Sequence, residues 1–304
     1  MDWFLIALAA PFLWALVNMA DKYLVTNYSG EKKSSGALVL FSSLIGIVAA
    51  ALIGVFTTGT FAISALDKIL LVITGILSIC YIVLYLKALE TEEISAVITW
   101  TLMIPVFGYL LSFLFLGETL AHKELLGSSI IFLGAVVLSI DFTHVGLLFK
   151  KRIALLMVGT CLMYATNGVI FKFVASADSF WVSSFWEYVG LAFGGIFIFL
   201  FFGSYRRDFV RNIRTSGGFI FFINVISEFS TIAGNLLTSY AILIAPIALV
   251  YMVGAFQPLI VFIFTGLSTK FWPKLVTEDF SRKALIPKLI ALVVMLVGSA
   301  VLFL

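Results

Sequence analysis

Ten apolar runs, each long enough to reach across a bilayer or nearly so, leave this chain few folds to choose from. They cover approximately residues 3–25, 35–57, 68–88, 94–115, 124–140, 153–175, 180–202, 218–241, 246–269 and 284–304. Hydrocarbon offers backbone N–H and C=O groups no partner, so a crossing segment must be a helix or a strand of a closed barrel. Barrel strands alternate apolar and polar residues over about 10 positions. The runs here are continuous and longer, so helices are predicted throughout. Only 12% of the 304 residues are charged and 62% are hydrophobic. So few charges cannot cover a soluble globule, which excludes a soluble enzyme, a disordered chain, a coiled coil and a nucleic-acid binder. The first run lacks the basic leader and small-residue cleavage site of a secretory signal, and reads as a retained helix.

Cys80 and Cys161 each lie inside an apolar run, and neither they nor His122 and His144 make a metal-ligand spacing. No phosphate-binding loop occurs. No metal and no cofactor is expected. Lys and Arg concentrate in cytoplasmic loops. Of the 19 basic residues, all but Lys68, Lys123 and Lys172 fall at loops that follow odd-numbered spans. This predicts cytoplasmic odd loops, an even span count and both termini outside.

The two halves of the chain echo each other. Trp14-Ala15 through Lys22-Tyr23 recurs without gaps 150 residues later as Tyr164-Ala165 through Lys172-Phe173. Ala88 and Pro105 find counterparts 153 residues on, at Ala241 and Pro258. The first five spans (1–145) therefore pair with the last five (146–304). Five is odd, so the second unit is inverted in the membrane, and inverted repeats around a midplane site are a transporter architecture. The fold class read from the sequence is an all-α integral membrane protein of ten transmembrane helices, arranged as two inverted five-helix repeats.

The run Pro105, Gly108, Leu116-Gly117-Glu118, Gly127 and Gly134 resembles the signature of the EamA domain of the drug/metabolite transporter superfamily. That signature is a Pro-kinked fourth helix, a Gly-Glu turn and a glycine-spaced fifth helix. Trp14 and Asn18 resemble the family's aromatic and Asn in the first helix. The resemblance implies a secondary transporter with its cavity between the repeats, lined by spans 1, 3, 4, 6, 8 and 9. The second repeat departs from the pattern: Gly266 is followed by Leu267, and Gly298 alone remains of the last helix's glycines. Members of the family usually have cytoplasmic termini, opposite to the orientation the basic residues predict here.

Residues that could carry chemistry are few. In the eighth span Asn224, Glu228, Thr231, Asn235 and Thr238 fall on one helical face, which must look into the bundle or a wet cavity. Glu228 lies near the bilayer centre, where an ionised carboxylate costs roughly 2.5–3.5 kcal/mol or more. It is the candidate coupling or substrate-binding acid. Glu187 is a second acid within a span, with Lys172 as a candidate partner; a structural ion pair and a substrate contact are both open for it. Asn18 and Asn167 are expected to border the cavity, and Trp14, Trp100, Tyr164 and Tyr251 to line it. Trp186 is a further candidate lining aromatic. Pro105 and Pro258 are expected to kink their helices. Gly117 and Glu118 are expected to form a structural turn, with the carboxylate accepting N–H bonds at the start of the fifth helix.

These features read together as a secondary active transporter, moving a small amphipathic metabolite (an amino acid or related zwitterion or cation) by alternating access. Protons are the candidate coupling ion. The expected partners are the lipid bilayer, a small-molecule substrate and protons, with no nucleic acid; monomer and homodimer are both open. The expected location is a bacterial or archaeal plasma membrane. Alternatives are an integral membrane enzyme acting on lipid-linked substrates and a nucleotide-sugar-type carrier of the same architecture. An enzyme is disfavoured by the lack of clustered acids, a His pair or an extended polar loop.

Overall fold

The computed structural model describes residues 2–28, 35–92, 94–139, 151–215, 217–271 and 282–303, and the described residues are helical with no strand. The helices are α1 (Asp2–Tyr28), α2 (Gly36–Phe56), α3 (Ala65–Leu89), α4 (Ile94–Thr99), α5 (Met103–Leu116), α6 (His122–Ser139), α7 (Lys151–Ala175), α8 (Phe180–Phe201), α9 (Gly203–Thr215), α10 (Gly218–Ile244), α11 (Ile247–Val253), α12 (Gln257–Phe271) and α13 (Arg282–Phe303). Seven stretches are long and apolar enough to cross a membrane: α1, α2, α3, α7, α8, α10 and the α11–α12 unit. The boundary between residues 145 and 146, and Lys32, Lys33, Lys150 and Lys274, lie outside the described residues.

The fourth and ninth apolar runs break in the same way. α4 passes through a 3₁₀ turn, Trp100–Leu102, into α5; α11 passes through Gly254–Phe256 into α12. Pro105 and Pro258 sit in the first turn after each break. Proline has no N–H to donate, and its ring crowds the carbonyl four residues earlier, here Thr101 and Gly254. An α-helix cannot run straight through such a point, so the backbone tightens just before it. At the first break the Cys161 thiol of α7 donates to the Trp100 carbonyl at 3.2 Å. At the turn between α10 and α11, Ala245 is extended and Pro246 stands as the N-cap of α11.

One element departs from the sequence reading. Residues 203–215, expected as a basic loop, form the helix α9. Its arginines kept it from reading as a span, yet Tyr205, Phe209 and Ile213 at i, i+4 and i+8 give it an apolar face.

Glycines set how closely the helices approach. α8 lies between α2 and α3. A Cβ on Gly75 of α3 would fall on the Glu187 carbonyl, and one on Gly190 of α8 would fall on the Val72 carbonyl, so the two backbones touch. On the other side of α8, a Cβ on Gly195 would stand 2.6 Å from the Ser43 Cβ of α2. α3 also packs on α7, α1 on α10 and α6 along α13. Small residues at such crossings suit a membrane, where close van der Waals packing takes the place of the hydrophobic effect between helices.

Candidate functional site

The two 3₁₀ breaks meet at the centre of the bundle. Beside them lies a small cavity of ≈ 30 Å³, lined among others by Trp14 of α1, Tyr164 of α7, Thr238 of α10, Tyr251 of α11 and Gln257 of α12. That volume holds about two waters. Tyr164 is the hub of its aromatic wall. Its ring centroid is 6.1 Å from Trp14, 5.4 Å from Tyr251 and 5.3 Å from Tyr81. Such pairs each contribute about 0.5–1.5 kcal/mol beyond the area they bury. Glycines make the wall possible. A Cβ on Gly108 would stand 2.6 Å from the Tyr251 ring, and one on Gly168 would overlap the Tyr251 hydroxyl. A Cβ on Gly234 would stand 2.7 Å from Nε1 of Trp14.

Three carboxyls lie within the spanning helices around this wall. The Glu228 side chain accepts a hydrogen bond from the Ser42 hydroxyl of α2. Glu187 of α8 accepts from Asn167 of α7 at 3.1 Å. The same Asn167 amide nitrogen stands 2.9 Å from both the Thr74 carbonyl and the Ser78 hydroxyl of α3. The Tyr81 hydroxyl lies near Ser78 and Asn235, within electrostatic reach of both Glu187 and Glu228. Asp21 of α1 is the third acid. Tyr85 lies against it and donates to Asn18 Oδ1 at 2.8 Å. Among the described residues none of these three carboxyls forms an ion pair. Asn18 is only 6% exposed, and its amide nitrogen has no hydrogen-bond partner.

Residues 1–140 match the family model of the EamA-like transporter family. The match spans a little less than half of the chain, and makes this part of it similar to an EamA-like transporter domain. No curated protein matches the sequence. A solved crystal structure of another protein superposes at a TM-score of 0.66 with 15% identity, covering 99% of this chain and 95% of that one; the likeness is one of fold. With seven spanning-length apolar stretches among its described residues, the chain is a multi-pass integral membrane protein. The matched segment supplies Trp14, Asn18, Asp21, Ser42, Tyr81 and Tyr85 to the centre, and the second half supplies Tyr164, Asn167, Glu187, Glu228 and Tyr251.

The structure separates some residues that the sequence grouped. Asn224, Glu228 and Thr238 are buried on one face of α10, whereas Thr231 and Asn235 are half-buried. Asn224 donates to the Ile220 carbonyl at 3.0 Å and lines a second crevice of ≈ 20 Å³ with Phe41 of α2 and Phe209 of α9. The Thr231 and Thr238 hydroxyls donate to carbonyls four residues back, each at 3.0 Å. Trp100 does not line the central cavity; its neighbour Thr101 does. The Trp186 indole donates to the Thr60 carbonyl at 2.7 Å, away from that cavity.

Two pairings expected from the sequence are corrected. Lys172 does not reach Glu187: its ammonium stands 2.6 Å from Glu118 and donates to the Ala245 carbonyl at 2.8 Å. Glu118 does not serve the start of α6. Its second oxygen accepts the Ile247 N–H of α11 at 2.9 Å, while Glu124 accepts the Ala121 N–H before α6 at 2.7 Å. Gly117 does end α5, as a left-handed C-cap with φ 68°. Three residues of the centre, Asp21, Tyr81 and Ser42, escaped the sequence reading, whereas Tyr85 lies on the stripe of α3 equivalent to the polar face of α10. Asp21 carried a usable signal, an acid inside an apolar run. Tyr81 and Tyr85 followed Ser78 on one face of α3. Ser42 carried none, because its partner lies 186 residues away.

Proposed function

We propose that the protein is a secondary transporter of ten spans in two inverted repeats, which moves a small amphipathic cation or zwitterion by alternating access. Glu228 is its substrate-binding and proton-coupling acid. The observation that carries this reading is a set of three carboxyls within the spanning helices, the buried Glu228 and the half-buried Asp21 and Glu187, which have no cation partner among the described residues and lie near the aromatic wall of the central cavity. Desolvated acids without fixed counter-ions favour a ligand that brings positive charge, and the faces of Trp14, Tyr164 and Tyr251 attract cations. The Asn18 amide adds a donor for a carboxylate or carbonyl on the same ligand. Phosphorylated substrates would meet three acids here.

The inverted repeat is supported by the matching breaks at Pro105 and Pro258. It is also supported by two lysines in equivalent settings: Lys22 donates to the Glu92 carbonyl at 2.7 Å and Lys172 to the Ala245 carbonyl at 2.8 Å. Exchanging the halves turns the α3–α7 pair into α10–α1. Alternation is supported by the small central cavity, since a metabolite requires the helices around it to part.

The test is transport by purified protein in liposomes under an imposed pH gradient, with a panel of amino acids and organic amines. The wild type should drive uptake of at least one cationic or zwitterionic compound. Glu228→Gln keeps the shape and the Ser42 hydrogen bond but cannot titrate, and should abolish the response to pH. An unchanged rate and an unchanged pH profile in that variant would reduce Glu228 to a structural hydrogen-bonding group.

A further inference from the structure

The helix α9 presents a feature that the transport cycle does not use. It joins the end of α8 to the start of α10, both long enough to span, so its thirteen residues lie along the membrane surface. Its apolar side is partly occupied by protein, with Ile213 left half-exposed. Tyr205 lies beneath Gly36 at the start of α2, where an added Cβ would be 3.3 Å from the tyrosine ring. Phe209, Asn212 and Ile213 line the ≈ 20 Å³ crevice against α2 and α10. The opposite side carries Arg207, Arg211 and Arg214, and Arg206 stands at its border beside Ile213; all four are exposed. The helix holds a single acid, Asp208, 3.1 Å from Arg211. Exposed Phe201, Phe202 and Phe219 flank the helix at lipid level.

We infer that the arginine face of α9 is a binding site for the headgroups of anionic phospholipids in the leaflet on which it lies. An amphipathic helix at this depth with an apolar side free would insert to anchor itself. Here most of that side is held by α2, with α10 across the crevice, which fixes the helix against the bundle and leaves the guanidinium groups at the level of the lipid phosphates. Arginine suits this role, since its planar fork binds phosphate oxygens two at a time. Under the orientation proposed above, α9 lies on the cytoplasmic leaflet, where anionic lipids set the surface potential. The site is independent of the central cavity. Its ligand shares phosphate chemistry with free phosphate, but the lateral position of the helix and its flanking phenylalanines favour the lipid.

The test uses the full-length protein in maltoside micelles, with Cys80→Ala, Cys161→Ala and a fluorophore on Ser204→Cys. Phosphatidylglycerol carrying a headgroup nitroxide is titrated in, and quenching is read. Quenching should saturate with phosphatidylglycerol and stay weak with nitroxide-labelled phosphatidylcholine. Each arginine near an anionic surface is worth about a fivefold change in affinity, so Arg206→Gln, Arg207→Gln and Arg214→Gln together should raise the half-saturating concentration roughly a hundredfold. These side chains are exposed, and an unchanged thermal midpoint in phosphatidylcholine verifies that the triple variant folds. Equal quenching by both lipids would overturn the proposal, as would an unchanged titration in the triple variant. Competition by inorganic phosphate at the same phosphorus concentration would also overturn it, by showing a site for a free anion.

Discussion

Neutralising Glu118 should destabilise the protein more than the loss of an ordinary surface ion pair. The Glu118 and Lys172 side chains are 14% and 15% exposed, and their charged atoms stand 2.6 Å apart. Each also holds backbone: Glu118 accepts the Ile247 N–H at 2.9 Å, and Lys172 donates to the Ala245 carbonyl at 2.8 Å. The four groups tie the end of α7 and the turn after α5 to the junction between α10 and α11. An exposed pair contributes about 0–1 kcal/mol. Breaking a buried one costs about 3–5 kcal/mol, because the survivor is left uncompensated. Glu118→Gln retains an oxygen for Ile247 but leaves the Lys172 ammonium with one carbonyl, so a loss of about 3 kcal/mol is expected. Lys172→Met leaves a carboxylate that keeps its backbone N–H, so its loss should be smaller, about 2 kcal/mol. The double variant removes both charges and should cost less than the sum of the single losses by about 1.5 kcal/mol or more. Equilibrium unfolding in bicelles, driven by steric trapping, measures all three. Strictly additive losses would show that the pair is not coupled and would refute the reasoning.

Three further outcomes are expected. A reporter that works only in the cytoplasm should be silent when fused after Leu304 and active after Arg214; the reverse pattern would restore the family's usual orientation. Gly168→Ala should cost about 1–3 kcal/mol and slow transport, because the new methyl overlaps the Tyr251 hydroxyl; adding Tyr251→Phe should recover most of the stability in a thermal melt, and no recovery would place the strain elsewhere. In a background without Cys80 and Cys161, cysteine at position 18 or 167 should react with a small water-soluble thiol reagent during turnover, and complete protection at both would make them packing positions.

The helices were legible because their signal is length. A run of about 20 apolar residues needs no partner to be recognised, and Pro105 and Pro258 marked the breaks because proline acts on its own helix. Pairings were legible only where both members shared an element. Glu118 is an acid beside a turn glycine, and its spacing to the start of α6 pointed there; its actual partners come from α7 and α11, the latter 129 residues on. Glu228 stood out as a charge in an apolar run, but Ser42, one of two adjacent serines in α2, did not. α9 was misread for a different reason: its polar side outweighs its apolar side in composition, although the i, i+4, i+8 pattern of Tyr205, Phe209 and Ile213 was present.

The two halves are alike enough to align and different where the site lies. At the positions matched by the 150-residue shift, Trp14 and Tyr164 are both aromatic, but Asn18 is answered by Gly168. Ile98, matched to Tyr251, needs little room, so α1 can carry an amide; Tyr251 needs much, so α7 has no side chain there. Glu228 is answered by Gly75, and the consequence is larger. Gly75 lets α3 close onto α8 until their backbones touch at Gly190. The repeat-related pair, α10 and α2, bears Glu228 and Leu40 at those places and cannot close so far. It meets through the Ser42–Glu228 hydrogen bond, with the Asn224 crevice one turn away. In the alternating-access cycle proposed above the two pairs would exchange roles, and closing α10 further on α2 would press the already buried Glu228 carboxyl deeper into the seam. A bound cation or a proton removes the cost of that burial, whereas a bare carboxylate opposes it. On that proposal, the acid that stands opposite Gly75 of the first half would be placed where its charge state governs which side of the bundle can close.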